Sequence, residues 1–171
     1  MIIVAGYKRI VKEGNEEIIA FIATEEVPCP ICGEKLTLRG RCRRKLREPG
    51  GTVVYRLRVM KCERCRKTHR ELAQWMVPYK RMSAQVLSGI AQSDNKNLGT
   101  AEGSTWHRVR KWVKKFICYA LDVLRAVLVT DPGIKTVPTG LSHCEKLKYY
   151  VRLVVNSGRW ISHRSAMTSG F

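Results

Sequence analysis

Four cysteines have the spacing of metal ligands: Cys29-Pro30-Ile31-Cys32 and Cys62-Glu63-Arg64-Cys65 are two C-x-x-C pairs separated by 29 residues. Four thiolates close a tetrahedral zinc site and leave no open position for water, so the expected ion, one Zn2+, is structural rather than catalytic. Gly33 follows the first pair and can take the left-handed backbone that turns amides toward sulfur. Arg66 follows the second, where the same conformation costs a non-glycine residue about 1 kcal/mol. His69 and Cys42 are alternative ligands, with Cys42 expected in an exposed loop among Arg41, Arg43 and Arg44. Cys42, Cys118 and Cys144 are otherwise spare thiols. An odd count of seven cysteines fits a reducing compartment, the cytoplasm, better than a disulfide framework.

The elements that must position these thiols are a hairpin and its neighbours. Residues 53–60 alternate, with Val53, Tyr55, Leu57 and Val59 on one face and Val54, Arg56, Arg58 and Met60 on the other. This strand follows the turn signal Pro49-Gly50-Gly51 and runs into Cys62, so a hairpin delivers the second pair. Residues 2–22 suggest a short strand and a less defined second element. After Pro78 the apolar period lengthens to that of a helix. Ser83 can cap a short helix bearing Val86, Leu87, Ile90 and Ala91 on its inner face. A long helix should begin near Ser104 or Thr105 and end before Pro132, and Ser142 with Glu145 has the spacing of a capping box for a last helix.

The fold class expected is therefore α+β, a small β zinc ribbon followed by a helix-turn-helix-like helical module. The segments are 1–26 (N-terminal strand), 27–78 (ribbon), 79–130 (helical module), 131–158 (linker and C-terminal helix) and 159–171 (flexible tail). No stretch is apolar enough to span a membrane.

Charge points to the partner. The 171 residues carry 32 Lys plus Arg against 14 Asp plus Glu, a net +18, which calls for a polyanion. Arginine dominates residues 35–70, and its planar fork suits phosphate oxygens and guanine edges. Candidate contacts there are Arg39, Arg41, Arg43, Arg44, Arg56 and Arg58, followed by Lys80 and Arg81. The long helix would present Ser104, Thr105, His107 and Arg108 to base edges, with Lys111 and Lys115 at phosphates. Trp106 and Trp112 are expected in packing. Duplex DNA is the favoured partner over RNA. The apolar Ala120, Leu124, Val127 and Leu128 would serve a homodimer or fold back on the last helix.

With both modules in view, the sequence resembles the zinc-ribbon and helix-turn-helix front end of bacterial insertion-sequence transposases. More narrowly, it is similar to a family of short transposon-associated proteins of Gram-positive bacteria, of unknown function. The resemblance covers about residues 27–120 and rests on Cys29-Pro30-Ile31-Cys32-Gly33, Cys62-Glu63-Arg64-Cys65, Thr68-His69-Arg70-Glu71-Leu72, Val77-Pro78-Tyr79-Lys80-Arg81-Met82-Ser83 and Ser104-Thr105-Trp106. Arg66, where glycine is usual, and Ala73, where proline often stands, depart from the pattern. The resemblance implies DNA binding. After residue 130 only Asp131 and Glu145 are acidic, too few for the two-metal chemistry of a transposase, so a non-enzymatic binding module is expected. An RNA-binding ribbon and an accessory subunit recruiting a nuclease or recombinase are the alternatives.

Overall fold

The long hairpin forms where the alternation demands it. In the computed structural model, which describes residues 1–12, 18–92, 103–131, 137 and 139–160, strands β4 (Leu36–Glu48) and β5 (Gly51–Cys62) pair antiparallel, with Glu48 opposite Gly51. Gly51 has φ +134°, a conformation open to glycine, and closes the turn after Pro49-Gly50. The register shifts between Leu38 and Gly40, a bulge at Arg39.

That bulge decides which side chains face where, because one extra residue reverses the parity of a strand. Beyond it, Cys42, Arg44 and Leu46 share a face with Tyr55 and Leu57, while Arg41, Arg43 and Lys45 share the opposite face with Arg58, Arg56 and Val54.

The rest of the sheet grows on the other edge of β5. Strand β3 (Ile18–Ala23) runs parallel to Val54–Arg56, and β6 (Thr68–Ala73) antiparallel to Val59–Lys61. Strand β2 (Tyr7–Lys12) lies beyond β3, and β1 (Ile2–Val4) pairs parallel with β6. The N-terminal segment thus supplies three strands where sequence suggested one and an undefined element. Two of them, β1 and β3, depend on partners more than thirty residues away, which local pattern does not reveal.

Among the described residues, three helices cover the inner face: α1 (Ala84–Gln92), α2 (Gly103–Thr130) and α3 (His143–Asn156). The Ser83 hydroxyl accepts from the Val86 amide at 3.3 Å, and Ser142 and Glu145 form the capping box. Leu46, Tyr55, Leu57 and Leu72 from the sheet join Leu87, Trp112, Phe116, Val151 and Val154 in one hydrophobic core. This core runs across the boundaries expected at 26/27, 78/79 and 130/131. Ala120, Leu124 and Val127 are buried in it, so the apolar face of α2 is occupied within the chain.

Two details tie α3 to the sheet. The Asn156 side chain accepts from the Ile3 amide and donates to its carbonyl, both at 2.9 Å, continuing the ladder past β1. Gly158, at φ +74°, lies so close to the first knuckle that a Cβ would sit 2.3 Å from the Pro30 carbonyl oxygen. Of the segment 159–171, expected as a loose tail, Arg159 and Trp160 are packed against α2. Trp160 is buried beside Phe116, with ring centroids 5.4 Å apart, and Tyr119 donates to the Arg159 carbonyl at 2.9 Å. Residues 161–171 lie outside the described residues.

Candidate metal centre

Each cysteine pair sits in a knuckle built by backbone bonds. In the first, the Cys29 amide donates to Glu34 and the Gly33 amide to Cys29, both at 2.8 Å; in the second, the Cys62 amide donates to Lys67 at 2.9 Å. Gly33 has φ +75° and Arg66 φ +61°, so both knuckles use the left-handed conformation one residue after their second cysteine. The strain expected at Arg66 is present. Arg66→Gly is therefore expected to tighten metal retention by roughly fivefold, the equivalent of about 1 kcal/mol, in competition against a chromogenic chelator. Unchanged retention would mean that the backbone there carries no such cost.

The four sulfurs converge, all lying within 4.8 Å of one another. Cys29 and Cys65 Sγ are 3.6 Å apart, and Cys32 and Cys62 Sγ 3.4 Å. Ligands at about 2.3 Å in a tetrahedron stand about 3.8 Å apart, so the donor set fits one metal ion. Cys29 and Cys62 are buried, and together with Ile2 and Leu36 they form a small apolar cluster around the site. The amide of Cys65 favours the Cys62 thiolate against burial and lowers its pKa to about 7. At Cys32 the amide of Glu34 acts in the same sense, but burial and bonds to the other thiols outweigh it and push the group up to about 12.

His69 does not enter the cluster of four, but stands behind it. Its Nε2 is 3.4 Å from Cys29 Sγ, and its Nδ1 is 3.2 Å from the Met1 nitrogen. Burial lowers its pKa to about 4, and the amino terminus adds to the effect. A neutral ring accepting at Nδ1 carries its proton on Nε2, where it donates to the sulfur. Cys42, expected in an exposed loop, is instead a half-buried residue of β4 opposite Leu57.

The predicted nucleic-acid contacts divide into three groups. Arg39, Arg41 and Arg43 are exposed on β4 and Arg56 half-exposed on β5, with Arg43 directly opposite Arg56 on the face turned away from the helices. Ser104, His107, Arg108, Lys111 and Lys115 are exposed on α2, as is Lys114; Thr105 is half-buried and accepts from Arg108 at 3.3 Å. Arg81 is exposed as well.

The third group is committed inside the fold. Arg44 lies on the inner face, where one guanidinium nitrogen donates to the carbonyls of Val77 at 2.6 Å and Lys80 at 2.7 Å. Arg58 makes a bidentate pair with the buried Glu71, at 2.8 and 2.7 Å. The Lys80 ammonium rests 4.3 Å from the centre of the Trp112 ring, a half-buried cation–π contact. Arg44 and Arg58, expected as phosphate contacts, are thus both hydrogen-bonded within the fold. Lys45, exposed on the face of Arg43, is an addition that strand parity could have supplied.

The profile of a family described as "Domain of unknown function (DUF6431)" matches residues 29–112. That stretch contains the four cysteines, β4 to β6, α1 and the first part of α2. No curated protein and no solved structure gives a significant match to the chain. Among the described residues, no helix is long and apolar enough to cross a membrane.

Proposed function

We propose that this protein binds nucleic acid, duplex DNA in preference to RNA, on a scaffold held by one structural Zn2+ at Cys29, Cys32, Cys62 and Cys65. Four thiolates in a closed, partly apolar shell suit zinc, which prefers sulfur and needs no vacant position for a structural role. The observation that carries the binding proposal is a row of basic side chains on one sheet face, with Arg43 exposed on β4 opposite the half-buried Arg56 on β5. Glu71, from β6, is engaged by Arg58. Arg41 and Lys45 extend the same row. Exposed basic residues gathered on one face of a chain of net charge +18 are the electrostatic footprint expected for a polyanionic partner.

The exposed Arg108, Lys111, Lys114 and Lys115 on α2 form the second basic surface. Groove reading by α2 is the secondary part of the proposal. The transposon-related role, the cytoplasmic setting and the absence of catalysis belong to the same reading.

The test is binding of zinc-loaded protein to duplex DNA across salt concentrations, with structured RNA as competitor. The double substitution Arg43→Gln, Arg56→Gln is expected to weaken binding on every sequence and reduce the slope of log affinity against log salt by about two. Its melting temperature, measured alongside, checks that the fold survives, since neither side chain belongs to the hydrophobic core. An unchanged slope would sink the sheet face as the contact surface, and RNA winning the competition would replace DNA as the partner.

A further inference from the structure

The segment Val77-Pro78-Tyr79-Lys80 closes a turn through the Lys80 amide, which donates to the Val77 carbonyl at 3.2 Å. Proline at the second position and a positive φ at the third define a type II turn, whose third position ordinarily takes glycine or asparagine. Here it holds Tyr79, at φ +59°. A bulky aromatic in the left-handed region is a genuine outlier, and such strain persists where the surroundings over-determine it.

The surroundings do so. Arg44 donates to both Val77 and Lys80 carbonyls, pinning the turn from the inner face of β4, and Lys80 is fixed over Trp112. The following residues are stitched to β4, with the Arg47 amide on the Arg81 carbonyl at 2.7 Å and the Ser83 amide on the Arg47 carbonyl at 2.9 Å. The result of this clamping is an aromatic ring left 63% exposed. Tyr79 is not a member of the hydrophobic core. No acidic residue occurs from Leu72 to Ser93, while Lys80 and Arg81 adjoin the ring in sequence.

We infer that Tyr79 is a stacking residue, held on a rigid basic turn to receive an unpaired base of DNA. This rests on the nucleic-acid reading above and adds a substrate feature to it, an interruption in base pairing. Every base offers a π-face to an aromatic ring, whereas phosphate contacts alone do not distinguish a continuous duplex from an interrupted one.

The experiment compares a duplex carrying one bulged 2-aminopurine with the same duplex fully paired, at one salt concentration. Wild type should prefer the bulged duplex, and 2-aminopurine emission should change on binding. Tyr79→Gly and Tyr79→Asn both accept positive φ, so the turn is retained and the melting temperature should hold. Both should bind the bulged duplex about five- to hundredfold more weakly, with the paired duplex nearly unaffected and the emission change lost. Tyr79→Phe should keep the preference. Wild-type-like discrimination in the folded Gly and Asn variants would overturn the role of Tyr79 while leaving nucleic-acid binding intact. Wild type that binds both duplexes equally would also overturn it, and wild type that binds neither would remove both proposals.

Discussion

Removing the metal proposed at the four cysteines is expected to unfold the two knuckles and loosen the helices packed on the sheet. The cluster of Ile2, Cys29, Leu36 and Cys62 is small, and the knuckles themselves are short turns with few apolar contacts of their own. Structural zinc contributes about 10–16 kcal/mol in small modules, as much as the whole net stability of an ordinary domain, about 5–15 kcal/mol. The loss should not stay local, because the Pro30 carbonyl abuts Gly158 and β1 is bridged to α3 by Asn156. Chelation should release one equivalent of metal per chain and lower the melting temperature sharply. Cys62→Ser should reproduce this, whereas substitution of the exposed Cys118 should not. An apo chain that melts like the loaded one would make the four cysteines ordinary packed thiols.

What sequence discloses about this molecule follows the range of the interactions involved. The paired cysteines, the turn at Pro49-Gly50-Gly51, the Ser142–Glu145 box and the limits of α2 depend on neighbours a few residues apart, and all stand where spacing places them. Strands β2 and β3 were less legible because β3 is held by parallel pairing with β5, a partner distant in the chain. The fate of the arginines was hidden by one residue. Counting by twos from Leu36 would put Arg44 outward with Leu38; the bulge at Arg39 reverses the parity and turns it inward. Tyr79 was hidden for another reason, since its position in the turn is one that sequence rules assign to glycine.

Glu71 gives the second large effect. Its side chain is 3% exposed and that of Arg58 23%, so truncating Glu71 leaves a guanidinium facing a desolvated pocket without its counter-charge. Breaking a buried pair from one side costs about 3–5 kcal/mol, whereas replacing both partners by apolar groups of similar volume is often neutral or better. Glu71→Ala should therefore lower the melting temperature by about 10 °C in a chain of this size. The double substitution Arg58→Met, Glu71→Leu should recover most of the loss, measured by equilibrium denaturation of the loaded protein. The same double variant separates structure from binding. If Arg58 is consumed by Glu71, its removal leaves the salt slope of DNA binding unchanged, in contrast to Arg43 and Arg56. A slope reduced by about one would return Arg58 to the phosphate-contacting row. Both outcomes turn on whether a guanidinium already satisfied at 2.7 and 2.8 Å by a buried carboxylate has capacity left for a phosphate.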